Sequence, residues 1–160
     1  MDPKIKKLLG VGLSGGYGKN NYGKISRAGF DLESSDYQGD EGKYHDEWAA
    51  HRNGGGQELV RTADGKIWTR IYAGGTPDED LLVSFGTNSK EVGEKIQYFL
   101  RAVGTKSRFD EDFNLDEGDW SYSYKVMVDN KEINVILGEE QIKYNGKVVF
   151  AHYLINSPVD

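Results

Sequence analysis

Cysteine is absent from all 160 residues. That excludes disulfide frameworks, thiolate metal sites and cysteine nucleophiles, and it fits a chain kept in a reducing interior. Proline and histidine number only 3 each, so the chain has neither a proline-rich linker nor a histidine-dense metal site, and no metal or cofactor is expected. No apolar run approaches bilayer-crossing length and no charged-then-apolar leader opens the sequence. The expectation is a cytoplasmic protein without a membrane partner. Positive charge is in deficit, with 20 Lys and Arg against 26 Asp and Glu and a net charge of −6. The basic residues are scattered among acids, so nucleic acid is not an expected partner.

What the chain does have is glycine, at 21 residues, together with 10 tyrosines, 6 phenylalanines and 3 tryptophans. This mixture suits twisted antiparallel sheet with tight turns. Gln57 to Thr76 places two strand-like runs around Asp64-Gly65, a type I′ hairpin signal. Glu139 to Leu154 repeats the pattern around Asn145-Gly146. Laying Gly65 on Gly146 matches Lys66 with Lys147, Ile67 with Val148 and Tyr72 with Tyr153. This is a weak internal duplication.

Taken in order, Asp2 to Leu9 predicts one or two helical turns ended by Gly10, and residues 10–24 form a glycine-rich segment, either a loop or a backbone folded against something that tolerates no side chains. Gly10-x-Gly12-x-x-Gly15 lacks the strand before and the helix after that a dinucleotide fingerprint needs. Gly18 to Lys24 has phosphate-loop spacing, but Ile25 stands where a magnesium-binding hydroxyl is required. Lys43 to His51 alternates, so Tyr44, Asp46, Trp48 and Ala50 share one strand face. Arg52 to Gly56 reads as a loop. Thr76-Pro77-Asp78-Glu79 has capping-box form before a short helix or strand. Asn88 to Val103 is the main helix, with Val92, Ile96, Phe99, Leu100 and Val103 at helical spacing. Lys106 to Gly118 reads as an acidic connector. Trp120 to Val128 alternates as a strand, turning at Asp129-Asn130. The expected architecture is an α+β fold with an antiparallel, strongly twisted sheet of about seven strands, with duplicated hairpins, packed on one main helix. Residues 1–25 would form the N-terminal segment and 26–160 a single domain.

Several short motifs run in a fixed order: Ser26-Arg27 with Gly29 and Asp31-Leu32; Tyr44-x-Asp46-x-Trp48; Gly56-x-Glu58-x-Val60; Trp68-x-x-x-Tyr72-x-Gly74; and Glu140-x-Ile142-x-Tyr144-x-Gly146. In this order the chain resembles the domain of unknown function 5680 family, found in bacteria and archaea alone or behind helix-turn-helix repressor domains. The resemblance implies a prokaryotic source and a fold, and it brings no chemistry with it. Gln57 follows Gly56 without the aromatic residue usual before that glycine, and the insert after Gly74 is longer. No helix-turn-helix pattern precedes Ser26.

His45, Asp46, Glu47 and His51 do not converge on one ion, because His45 and His51 lie about 20 Å apart on a strand. His45-Asp46 also resembles a metal-dependent phosphohydrolase motif, which needs more histidines than His152 supplies. Trp120, Tyr122 and Tyr124 follow a run of acids and read as sheet core rather than a nucleic-acid platform. Tyr44, Asp46, Trp48, Glu58, Trp68 and Tyr72 form the candidate ligand-binding set, an aromatic wall with carboxylates of the kind that grips cationic or sugar-like molecules. The same set would also serve as a hydrogen-bonded core. The leading expectation is a non-enzymatic ligand-sensing or interaction module, monomeric or homodimeric, with a small molecule or peptide as partner. The alternative is a small hydrolase using Asp46 or Glu58 as general base with His45 or His152 assisting.

Overall fold

In the computed structural model, which describes residues 1–49 and 51–159, the chain opens with helix α1 (Pro3–Gly15) and a single 3-10 turn (Tyr17–Lys19). Five strands follow: β1 (Gly23–Arg27), β2 (Phe30–Gly39), β3 (Gly42–Trp48), β4 (Asn53–Thr62) and β5 (Ile67–Gly75). Helices α2 (Glu79–Ser84) and α3 (Ser89–Val103) lead to β6 (Phe113–Glu117), β7 (Trp120–Asn130), β8 (Val135–Tyr144) and β9 (Lys147–Val159). All the strands lie in one antiparallel sheet, ordered β1-β2-β3-β4-β5-β9-β8-β7-β6. Two meanders therefore meet where β5 pairs with β9, and the sheet stays open, with β1 and β6 as its edges. Ala50, placed on the inward face by its alternation, lies outside the described residues.

Among the described residues the sheet has nine strands rather than about seven: β1, β2 and β6 are additional, and Val135–Tyr144 is one strand that runs through Gly138 without a break. The additional pair at the start, β1 and β2, turns at Ala28-Gly29, both with positive φ. Its residues are mostly polar and half-exposed, so no buried face marked them as strand. Two more departures follow from hydrogen bonding that local composition hides. Strand β4 already begins at Asn53, inside the expected loop, paired to Gly75 of β5. The acidic connector contains β6, paired to β7. Past Asp129-Asn130 the chain turns at residues 131–134, and a bulge between Val126 and Val128 leaves Val128 on the exposed side.

Among the described residues three α-helices accompany the sheet: α3, expected as the main one, the short α2, and α1, which runs well past the one or two turns expected of it. Asp2 caps α1 by accepting from Lys4 N at 2.8 Å, with Pro3 in the first turn. The helix continues through Gly10 to Gly15, since tertiary packing offsets the weak helix propensity of glycine. A Cβ on Gly12 would lie inside the Tyr44 ring. The glycines thus let α1 approach β3 and β4, where Ile5, Leu8 and Leu9 cluster with Tyr44, Val60 and Phe109. Ile5, Leu8, Leu9, Gly10, Gly12 and Leu13 of α1 are buried, while residues 19–24 are exposed.

Helix α3 matches its expectation closely. Asn88 caps it by accepting from Glu91 N at 3.0 Å, Gly104 ends it, and the five apolar stripe residues are buried. That stripe packs with Tyr122, Tyr124, Ile142 and Leu154 of β7, β8 and β9. In α2 the cap is Asp78, accepting from Leu81 N at 2.9 Å, and Thr76 lies upstream of it. Asn88→Ala removes the side-chain oxygen that accepts from the Glu91 backbone N–H at the start of α3 and is expected to cost about 1 kcal/mol in chemical denaturation. Asn88→Ser, which keeps the cap, should stay near wild type.

Candidate functional site

Register decides which side chains meet. Across β3, β4 and β5 the pairings Tyr44↔Val60↔Trp68, Asp46↔Glu58↔Arg70 and Trp48↔Gly56↔Tyr72 stack three inward rows. Tyr44, Asp46 and Trp48 of β3 thus lie in the same rows as Trp68, Arg70 and Tyr72 of β5, with β4 between them. A Cβ on Gly56 would stand 2.6 Å from Tyr72 Oη and 2.7 Å from Trp48 Cβ. Glycine there leaves Tyr72 room to cross its row and donate to Asp46 Oδ1 at 3.0 Å.

Beneath this contact lies a closed ion pair. Arg70 grips Glu58 through Nε and through Nη2, the latter at 2.7 Å from Oε1, and Tyr44 Oη donates to the same oxygen at 2.9 Å. Glu58 and Arg70 are 0% and 1% exposed. Burial pushes the Glu58 carboxyl up, but the charge and hydrogen bonds of Arg70 outweigh it and hold Glu58 below its ordinary value. Asp46 has no such partner. Burial, reinforced by the charge of Glu58, raises it to about 8, so it is largely protonated at neutral pH.

The second meander repeats the unit. Tyr122 Oη donates to Glu140 Oε1 at 2.7 Å, as Tyr44 does to Glu58, and the pairings Tyr122↔Ile142 and Glu140↔His152 mirror Tyr44↔Val60 and Glu58↔Arg70. The duplication read from sequence is therefore structural, with one change of register. A β-bulge between Ile142 and Lys143 makes His152 the counterpart of Arg70 and leaves Tyr153 half-exposed, so Tyr153 does not correspond to Tyr72. The turns differ too. Asn145 and Gly146 both have positive φ, whereas at Asp64-Gly65 only Gly65 does, as in a three-residue loop with a glycine bulge.

Because a neutral imidazole occupies the arginine position, a different cation faces Glu140. Arg108, from the segment after α3, has a backbone φ of 73° and Nε 3.4 Å from Glu140 Oε1. Such a conformation is uncommon for a non-glycine residue and collects at functional sites. Burial opposes its charge, yet Glu140 and Glu58 more than offset that and hold the guanidinium ionised. His152 Nδ1 stands 3.9 Å from Glu140 Oε2. Burial, and then the charge of Arg108, lower His152 to about 3, so its ring is neutral at physiological pH.

These residues close the inner end of a cavity of about 510 Å³ between the sheet and the α1 and α3 side of the molecule. Asp46, Tyr72, Arg108, Glu140 and His152 line its depth. Tyr17, Tyr22 and Trp48 form an aromatic cluster toward the outside, with ring centroids 5.3 to 6.1 Å apart. Gly54, Gly55, Gly74 and Gly75 line one wall, and a Cβ on any of them would stand within 2.4 Å of a backbone carbonyl oxygen. The volume suits a small organic ligand.

The profile of the family described as Domain of unknown function (DUF5680) matches residues 46–156, more than half of the chain. The chain belongs to this family. The DUF5680 span begins at Asp46 and takes in Glu58, Arg70, Tyr72, Arg108, Glu140 and His152, while α1, the 3-10 turn, β1 and β2 precede it. No curated protein and no solved structure matches the chain.

Of the six candidate residues, Asp46, Trp48 and Tyr72 line the cavity. Tyr44 and Glu58 form the layer behind it, and Trp68 packs on the α1 cluster. His45 points to the outer face, bonded to Asp36 at 2.7 Å and Glu47 at 3.0 Å. Among the described residues no group of three or more His, Asp or Glu side chains is arranged to hold a metal. Sequence reasoning did not reach Arg108, Glu140, Tyr17 or Tyr22. The duplication carried a signal for Glu140, the counterpart of Glu58. Nothing local marked Arg108.

Proposed function

We propose that this chain is a binding module for a small organic molecule, held in the cavity between the sheet and the helices. The observation that carries this reading is Arg108. The residue is 3% exposed, its Nε donates no hydrogen bond to any described residue, and it lines a cavity large enough for a ligand. A buried cation left this way is costly unless something else occupies its donors. The aromatic cluster of Tyr17, Tyr22 and Trp48 offers an apolar face for the remainder of the same molecule.

A thermal-shift screen against metabolites, followed by titration calorimetry of the hits, tests the reading. Trp48→Ala is expected to weaken any hit by at least about tenfold, the scale of losing one stacked aromatic contact. A screen in which no compound stabilises the protein, or in which Trp48→Ala leaves every affinity unchanged, overturns it.

One observation favours a hydrolytic reading, namely the placement of His152 beside Glu140 within the cavity. The other parts of that reading fall away, since His45 is on the outer face and Glu58 is enclosed by Arg70 and Tyr44. Under the binding reading, ester and phosphoester chromogenic substrates should turn over at the buffer rate. Turnover that His152→Ala abolishes would reverse the order of the two readings.

A further inference from the structure

The inner end of the cavity combines one free donor group and one free acceptor on adjacent side chains. Glu140 Oε1 is taken by Tyr122 Oη at 2.7 Å and stands 3.4 Å from Arg108 Nε, while Oε2 accepts no hydrogen bond from any described residue. On the same carboxylate, Arg108 Nε stands over Oε1 and likewise has no hydrogen-bond partner among the described residues. Both side chains are nearly inaccessible to solvent, at 3% for Arg108 and 0% for Glu140.

Charge narrows the class of ligand. Glu58 is balanced by Arg70, Glu140 by Arg108, and His152 is neutral. Asp46 retains its proton at neutral pH in these surroundings. The floor is thus electrically closed, and a fully charged ligand would bring an uncompensated charge into a desolvated site. A neutral ligand that supplies an acceptor to Arg108 and an N–H to Glu140 satisfies both free groups without disturbing that balance. The walls add shape. Tyr72, Phe150 and His152 lie along the inner end, with the Tyr72 and His152 rings 5.4 Å apart and those of Phe150 and His152 4.4 Å apart. Flat aromatic walls favour a flat occupant.

From this arrangement, and resting on the binding reading above, we infer that the ligand is a planar nitrogen heterocycle with a lactam edge, its ring N–H donating to Glu140 Oε2 and its adjacent carbonyl accepting from Arg108. Nucleobases, pterins and related bicyclic lactams belong to this chemical class. A volume of about 510 Å³ takes one or two fused rings and a modest substituent.

Titration calorimetry with hypoxanthine and quinazolinone, each beside the analogue methylated on its lactam nitrogen, tests the class. The parent lactams are expected to bind, and methylation to weaken binding by at least about tenfold, because it leaves Glu140 Oε2 unpaired. Glu140→Gln keeps the side-chain volume and should weaken the parents by a similar factor while leaving the methylated analogues nearly unchanged. Arg108→Met removes the donor and should weaken the parents in the same way. Equal binding of parent and methylated compounds, or parent affinity indifferent to Glu140→Gln, overturns the lactam assignment. If carboxylates or amines bind instead and Trp48→Ala abolishes that binding, the cavity reading stands and the lactam class is wrong. If no compound of any class binds, both readings fail.

Discussion

Replacing Arg70 by methionine will lower the stability of the fold by about 3–5 kcal/mol, the largest effect expected of any single substitution in this chain. The reason is what the substitution leaves behind. Glu58 is 0% exposed, and its carboxylate is kept ionised by Arg70, whose Nε and Nη2 both donate to it. Without the guanidinium, the carboxylate must either remain charged in a dry interior or take up a proton there, and both options cost free energy. Arg70 also donates to the carbonyl of Arg108 at 3.3 Å, so its loss loosens the segment that carries Arg108. Urea denaturation of Arg70→Met, Glu58→Gln and the double variant gives the decisive comparison. The double variant should be more stable than Arg70→Met alone, because neutralising both partners removes the orphaned charge. A loss below about 1 kcal/mol in Arg70→Met would place the pair in the weak class of exposed ion pairs and contradict the buried geometry.

The stability of the wild-type fold will fall by up to about 2 kcal/mol between pH 6.5 and pH 8, and Asp46→Asn will remove most of that fall. The sign follows from two buried groups with opposite shifts. Asp46 ordinarily titrates at 3.8 but in the fold at about 8, so its contribution is complete below 3.8 and is lost as pH rises to about 8. His152 ordinarily titrates at 6.5 but in the fold at about 3, so its contribution is complete above 6.5 and is lost as pH falls to about 3. Between 3.8 and 6.5 the native state holds one proton more at Asp46 and one fewer at His152, and the two slopes oppose. Above 6.5 Asp46 supplies the main slope, at most about 1.4 kcal/mol per pH unit. Partly exposed His45 adds a smaller slope of the same sign, because burial lowers it but its hydrogen bonds to Asp36 and Glu47 outweigh that and hold it above its ordinary value. The groups facing Asp46 are Tyr44, Tyr72, Glu58, Arg70 and Arg108. Burial keeps both tyrosines neutral across this range, so they add no slope of their own. Denaturation curves at pH 6.5 and 8 decide the matter. A wild-type curve that is level across the interval, or an Asp46→Asn curve that falls as steeply as the wild type, would remove Asp46 as the buried titrating group.

The two predictions meet in the arrangement of the buried charges. The first meander pairs its glutamate with an arginine on the neighbouring strand, and that unit is closed. In the second meander His152 holds the equivalent position, so Glu140 is balanced instead by Arg108 from outside the sheet. One copy of the repeated unit thus supports the fold, while the other is left with unused hydrogen-bonding capacity beside a cavity. A duplicated hairpin unit gains room for a ligand in this way without giving up the core beneath it.

Alternation along Tyr44, Asp46 and Trp48, and the stripe from Val92 to Val103, determined by themselves the inward face of β3 and the buried face of α3, because the 2.0 and 3.6 periods are properties of the local backbone. The sequence likewise determined the antiparallel α+β class and the two related hairpins. It did not disclose β1 and β2, whose polar residues are held by hydrogen bonds to neighbouring strands rather than by a buried face, nor the full length of α1, where Gly12 is explained only by the Tyr44 ring it meets. The tertiary structure alone decided the site. Asp46 and Glu140 stand 94 positions apart and Arg108 belongs to neither hairpin. They meet because β9 pairs with β5, and long-range strand pairing is set by the packing of the whole sheet rather than by any local pattern.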